Sequence, residues 1–292
     1  MAVTENFTKF CSDLKMSSDK VKTIRDRYHK ITTRINLDFW NTSSETNNSL
    51  YVGSYGRGTE ISTSDIDIIV QLPYATYTKF NNYLSNGQSA LLQEVKDVLQ
   101  RTYSTSLSKG DGQIISITFS DGIRFEIVPA FINVDNKSYT YPDSNSGGTW
   151  ETTYPRSEIE AINLMNSATN KNLKRLCRMA RAWKNNCNVP IHGIVIDTLA
   201  YKFIKDSAYK DKSYTYYDWM SRDFFKYLKN IDPSTLYWSA PGSNRHVLRN
   251  NDNFQTKALS AYNKSLEAIE SEANDYTAKQ KWSDIYGTKF FN

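Results

Sequence analysis

The chain has 292 residues, 39% hydrophobic and 23% charged, enough to bury one large core or two joined ones. No apolar run approaches the ~20 residues of a membrane span, and the opening residues Met1-Ala2-Val3-Thr4-Glu5-Asn6 lack the basic and apolar regions of a signal peptide, so a cytoplasmic protein is expected. The net charge of +5 suits a protein handling polyanionic nucleotides but does not by itself indicate long nucleic acid, and ordinary surface charge accounts for most of these residues at least as well; three cysteines without CxxC spacing, with only three histidines, argue against a disulfide frame or a Cys/His metal cage.

Val21, Ile24, Tyr28, Ile31 and Ile35 step by three and four, which predicts a helix over about 18–40 capped by Ser17, Ser18 or Asp19. The polar run Asn41–Asn48 reads as a loop. A short strand near Leu50–Val52 leads into a glycine-rich segment, and the β-branched run Ile66–Leu72, closed by Pro73, reads as the next strand. A second amphipathic helix follows Ser89 and buries Leu91, Leu92, Val95, Val98 and Leu99. Residues 113–129 predict a hairpin of Gln113–Phe119 and Ile123–Val128 around Asp121-Gly122. Asn133–Tyr154, full of Asp, Asn, Ser, Gly and Thr, is expected to be a long irregular connection. From Pro155 the pattern is helical, over about 156–168, 171–187, 193–206, 217–229 and 255–273, with no further strand expected. The Asn/Ser/Gly stretch 241–253 is a candidate lid. An α/β lobe with a central sheet over 1–154 and a helical lobe over 155–292 are therefore expected, with an active site in the cleft between them.

The chemistry concentrates between Gly53 and Asp67, in the run Gly53-Ser54-Tyr55-Gly56-Arg57-Gly58-Thr59-Glu60-Ile61-Ser62-Thr63-Ser64-Asp65-Ile66-Asp67. Its three glycines allow a tight turn and close approach to a ligand. Ser54, in a loop entering a short helix, offers a hydroxyl and backbone N–H groups to phosphate oxygens. Asp65 and Asp67 stand two apart on a strand, so both carboxylates project from one face while Ile66 and Ile68 pack beneath. Paired hard oxygen ligands suit Mg²⁺, which takes its remaining ligands from substrate phosphates and water. A two-metal site needs a third carboxylate, and Glu126, alternating with Phe125 and Ile127, fits that place; its expected role is to hold metal and accept the proton of the attacking hydroxyl. Asp-x-Asp alone describes many solvated edge strands; loop, spacing and third acid together point to metal-dependent phosphoryl or nucleotidyl transfer.

These residues resemble the DNA polymerase β-type nucleotidyltransferase superfamily. Within it the chain is most similar to the bacterial cGAS/DncV-like nucleotidyltransferases (CD-NTases), makers of cyclic oligonucleotide signals. The likeness is carried by Gly53–Val70, by Glu126-Ile127-Val128-Pro129-Ala130, by the basic helix Leu173–Lys184 followed by Ile194–Phe203, and by the ending Trp282-Ser283-Asp284-Ile285-Tyr286-Gly287-Thr288-Lys289-Phe290. It implies a polymerase β-like lobe with a mixed sheet plus a helical lobe. It also implies that Ser54 with Gly53 binds the donor triphosphate and that Asp65, Asp67 and Glu126 hold two Mg²⁺ ions, for which Mn²⁺ can substitute. Glu126 stands where the family more usually has Asp. Arg181 matches the Lys of the family's K-x-W helix, with a bidentate fork in place of a point charge. Gly193, beside His192, occupies a position where a small polar residue is usual, leaving helix-start N–H groups to serve.

Asn163 and Asn166, three apart on one helical face, are candidates for reading a base, against the plain alternative of surface asparagines. Arg57 is a candidate for donor phosphates, against that of a loop arginine facing solvent. Of the basic residues over 171–184, Arg181 and Arg178 are expected to reach the site. The tyrosines around Tyr214–Tyr217 are expected to be packing residues more than base platforms. The resemblance implies a monomeric synthase of a cyclic di- or oligonucleotide from GTP, ATP or pyrimidine NTPs, in antiphage signalling. The alternative is another enzyme of the superfamily, an antibiotic or protein nucleotidylyltransferase or an oligoadenylate- or RNA-tailing enzyme. A double-stranded DNA sensor is disfavoured, there being no Cys/His cluster for a zinc insertion. Base identity is open between cyclic dipurines, cyclic di-GMP in particular, and pyrimidine-containing dinucleotides.

Overall fold

A computed structural model describes residues 2–61, 65–103, 107–109 and 112–291; Ser62, Thr63 and Ser64 of the motif lie outside the described residues. The chain order opens with α1 (Ala2–Asp13), α2 (Ser18–Ile35), β1 (Ser49–Tyr51), α3 (Gly53–Arg57), β2 (Asp65–Gln71), α4 (Tyr74–Asn81) and α5 (Gly87–Gln100). Five strands follow: β3 (Leu107–Lys109), β4 (Ile115–Thr118), β5 (Arg124–Ile132), β6 (Tyr139–Asp143) and β7 (Thr149–Thr153). Next come α6 (Pro155–Ala168), α7 (Asn172–Cys187), α8 (Gly193–Asp206) and α9 (Tyr217–Lys229). The chain closes with β8 (Tyr237–Ser239), β9 (His246–Leu248), α10 (Gln255–Glu270), α11 (Asp275–Tyr286) and α12 (Thr288–Phe291).

Two compact units emerge, and neither is one continuous stretch. The sheet-bearing unit takes the described residues of Ser17–Gly56 and Thr63–Ser157; the helical unit takes those of Met1–Met16, Arg57–Ser62 and Glu158–Asn292.

In the sheet-bearing unit, Ser17 caps α2 by accepting the Lys20 N–H at 3.3 Å. The helix predicted to reach residue 40 gives way at Ile35 to a π-helical turn over Asn36–Trp40. The buried Asn36 amide stabilises the loop that follows, donating to the carbonyls of Ser44 and Asn47 at 2.8 Å each. Among the described residues, seven strands form a mixed sheet of order β1-β2-β5-β4-β3, with β6 and β7 continuing from β5. The central pair β2–β5 is parallel, and the other pairs are antiparallel. Alternation on β2 and β5 sends Ile66, Ile68, Phe125 and Ile127 into full burial, and α2 and α5 pack against this sheet.

The irregular connection expected over 133–154 is corrected: Tyr139–Asp143 and Thr149–Thr153 pair as a hairpin, with Tyr139 opposite Thr153. The Asn, Ser and Gly residues that suggested irregularity concentrate in its turn, where Ser146, Gly147 and Gly148 all take positive φ. A second correction lies at β8–β9, a hairpin where no strand was expected. Trp238 and Val247 face the core. The candidate lid 241–253 is thus its turn and second strand, and Asp252 beyond it accepts the His192 backbone N–H at 2.9 Å.

The helical unit has an aromatic core no local pattern announces. Phe7 and Phe10 of α1 are fully buried, Phe7 edge-on to Trp282 at 5.3 Å and to Phe290 at 4.9 Å, and Phe10 against Tyr286 at 5.0 Å. Ring pairs of this kind add roughly 0.5–1.5 kcal/mol each beyond area burial. The W-x-x-x-Y-x-x-x-F ending is therefore packing machinery, with Gly287 at φ 88 turning the chain between α11 and α12. Cys11, Cys177 and Cys187 are free thiols. No described helix is long and apolar enough to cross a membrane.

One buried acid sets a pH dependence. Asp218 on α9 is 3% exposed, and burial together with the neighbouring Glu272 carboxyl pushes it up to about 7. Unfolded, it titrates near 3.9, so between roughly pH 4 and 7 the native state holds a proton that the unfolded chain has released. This group's contribution to stability therefore falls as pH rises through that window and stays low above it. Asp218→Asn is expected to raise the Tm at pH 8 by several degrees and to leave it nearly unchanged at pH 4. Thermal melts across pH 4–8 test this; equal shifts at both ends would refute it.

Candidate active site

Register places the acids. Asp65 pairs with Arg124 and Asp67 with Glu126 across the parallel β2–β5 ladder, and Ser116 pairs with Glu126 from β4. Directly paired residues share a face, so Asp65, Asp67 and Glu126 stand together, opposite buried Ile66, Ile68, Phe125 and Ile127. Farther along this face Ile69, Ala130 and Tyr139 close into a small apolar cluster. Carboxylates thus crowd one end and apolar side chains the other.

The Gly-Ser loop is built onto these acids. The Val52 N–H donates to the Asp67 carbonyl at 2.9 Å, and the Gly56 N–H to the Val52 carbonyl at 2.8 Å, starting α3. Gly53 has φ +59, and a Cβ there would stand 1.8 Å from Asp67 Oδ2. Only glycine combines that backbone with that approach. Gly53 and Ser54 therefore open a helix with the Asp67 carboxylate alongside.

Glu126 is turned toward Arg124, whose Nη2 lies 2.9 Å from its carboxylate and also donates to Ser116 Oγ at 2.9 Å. Arg124 was missed in the sequence, although its i, i+2 spacing on a strand places it on the face of Glu126. Among the described residues no group of three His, Cys, Asp or Glu side chains forms a ready-made metal cage. The donor set nonetheless fits Mg²⁺, which needs only one or two carboxylates when substrate phosphates supply further oxygens. Unit like charges about 4 Å apart repel by about 4 kcal/mol at an effective dielectric near 20, and Arg124 beside Glu126 offsets such repulsion at that acid.

In the helical unit the structure redirects several expected residues. Arg57 does not face solvent: it is 8% exposed and donates through Nε to Asp197 Oδ2 at 2.9 Å. Arg181, also 8% exposed, grips both oxygens of Asp197, Nη1 to Oδ1 at 2.5 Å and Nη2 to Oδ2 at 2.9 Å. Arg181, expected at the triphosphate, thus has its fork on a carboxylate in this structure. The Gly193 carbonyl accepts from Arg181 Nη2 at 3.1 Å, so this glycine adjoins the ion pair, and a Cβ on it would come within 3.3 Å of Nη2. Burial alone would push the Asp197 carboxyl up; Arg181 and Arg57 outweigh it and hold it at about 2.

Asn166 Oδ1 accepts the Lys174 backbone N–H at 3.0 Å and so caps the first turn of α7. Asn163 Oδ1 accepts from Lys174 Nζ at 2.7 Å. Both amide oxygens are thus taken up locally. Arg178 donates to the carbonyls of Glu60 at 3.0 Å and Gly58 at 2.7 Å. Asp197 itself was missed, although an acid within Ile194-Val195-Ile196-Asp197-Thr198-Leu199 signals a buried, paired charge.

A family model described as the Second Messenger Oligonucleotide or Dinucleotide Synthetase domain matches residues 1–166. No curated protein matches the sequence. Solved structures show the same fold at low identity. CdnC of Escherichia coli MS115-1 with ATP is similar at TM-score 0.71 and 14% identity, over 98% of each chain. The STING-associated CdnE c-di-GMP synthase of Capnocytophaga granulosa gives TM-score 0.67 and 18% identity over 91% of this chain and 85% of that one. Escherichia coli DncV in its 3′-deoxy GTP bound form gives TM-score 0.64 and 13% identity over 96% and 94%.

Proposed function

The chain belongs to the Second Messenger Oligonucleotide or Dinucleotide Synthetase family and is a nucleotidyltransferase, and from that premise we propose that it joins two or more NTPs into a cyclic oligonucleotide with release of pyrophosphate. The observation that carries the reading is the shared face of Asp65, Asp67 and Glu126 directly against the Gly53–Ser54 loop. Ser54 Oγ and the first N–H groups of α3 hold the donor phosphates. A Glu126 carboxylate oxygen takes the proton of the acceptor's 2′- or 3′-hydroxyl as that oxygen attacks the donor α-phosphorus in line; the α–β bridging bond breaks and pyrophosphate leaves. Asp65, Asp67 and Glu126 are the residues that would hold Mg²⁺, which when bound supplies charge neutralisation at the phosphates. The rest of the rate comes from positioning.

Similar structures carry ATP or 3′-deoxy GTP by their descriptions, which supports NTPs as substrates here. A role in antiphage signalling in the cytoplasm belongs to the same proposal. Labelled NTPs incubated with the protein and Mg²⁺, with no other acceptor, are expected to give a phosphatase-resistant product. Turnover only on adding an antibiotic, protein or RNA acceptor would replace this reading with the other branch of the superfamily.

A further inference from the structure

Asp197 is fully buried on the apolar helix α8, between residues Val195, Ile196 and Leu199 that are themselves buried. A carboxylate in such a place persists only if its charge and lone pairs are fully met. They are met by Arg181 from α7 and, on the same carboxylate, by Arg57 Nε at 2.9 Å and Thr59 Oγ1 at 2.8 Å. Arg57 and Thr59 flank Gly58, whose φ is +66 and whose carbonyl accepts from Arg178. Arg57 is also the last residue of α3, the helix that Gly53 and Ser54 begin. A five-residue helix has too few internal hydrogen bonds to hold itself.

We infer that Asp197 is a positioning residue for the end of the glycine-rich loop: it anchors Arg57 and Thr59 on either side of Gly58, and acts on that loop without touching substrate. What the loop does for substrate rests on the proposed nucleotidyl transfer; the anchoring itself does not. Carboxylate rather than amide is required, because two guanidinium groups and a hydroxyl all donate to it.

Thr59→Val removes one donor at nearly constant volume, and Asp197→Asn removes the charge. Backbone amide exchange over residues 53–60 is followed in both, together with KM and kcat for NTP. Leu228→Ala, truncating a buried side chain elsewhere in the helical unit, is the control for general destabilisation. Exchange over 53–60 is expected to quicken about tenfold in Thr59→Val, the scale of one lost hydrogen bond, and more in Asp197→Asn. KM is expected to rise by a larger factor than kcat falls, with partial rescue by Asp197→Glu and neither effect in Leu228→Ala. Wild-type exchange over 53–60 in Thr59→Val would overturn the inference, and that variant decides alone if Asp197→Asn does not fold. Absence of any NTP turnover by the unaltered protein would instead sink the enzymatic reading and leave the exchange data to judge the anchor.

Discussion

Asp67→Asn is expected to lower nucleotidyl transfer by roughly 10³-fold while leaving the Tm unchanged or slightly raised. Asp67 lies on one face with Asp65 and Glu126, and its carboxylate is in contact range of Gly53. The amide keeps the shape and removes a charge that repels its neighbours in the absence of cations. Stability should therefore move opposite to activity, which separates a catalytic role from a structural one. Pyrophosphate release with Mg²⁺ and a melt of the same sample measure both; parallel loss of Tm and rate would place Asp67 among the packing residues instead.

Gly53→Ala has the second largest expected effect. The added Cβ would stand 1.8 Å from Asp67 Oδ2 at a backbone φ of +59. Something must move, and what can move is the loop or the Asp67 carboxylate. Displacement of about 1 Å at a reacting centre costs on the order of 10²-fold in rate. The backbone strain costs a further ~1 kcal/mol or so of stability. Steady-state kinetics should show the loss, and restored activity in Gly53→Ala/Asp67→Gly is not expected, because the proposed mechanism uses the charge of Asp67. Near-normal turnover by Gly53→Ala would show that the close approach has no bearing on the chemistry.

Features held by local rules were legible in the sequence. Alternation along Asp65–Gln71 and Arg124–Ile132 fixes which side chains share a face, and glycine at 53 fixes where the chain can turn. The pairing of Asp67 with Glu126 then needed only the parallel register. Features that depend on distant partners were not legible. Phe7 and Phe10 meet Trp282, Tyr286 and Phe290 from the opposite end of the chain, so no local period revealed α1. Arg181 was a phosphate candidate through its match to the Lys of the family's K-x-W helix, and Arg57 through its place in the glycine-rich run, against the alternative of a solvent-facing loop arginine. Their partner, Asp197, lies on an apolar helix more than 130 residues after Arg57. The hairpin Tyr139–Thr153 was hidden by its turn, whose Asn, Ser and Gly residues outweighed the β-forming tyrosines and threonines beside it.

The same split bears on Asn163 and Asn166. Their spacing suggested base reading, and in the structure their amide oxygens accept from Lys174. Substrate choice therefore has to be read from products. Mass spectrometry of reactions containing all four NTPs with Mg²⁺ or Mn²⁺ tests the central claim most directly. A cyclic di- or oligonucleotide, absent with Asp67→Asn, is the result expected. Only linear tails, or no product without an added acceptor, would contradict it.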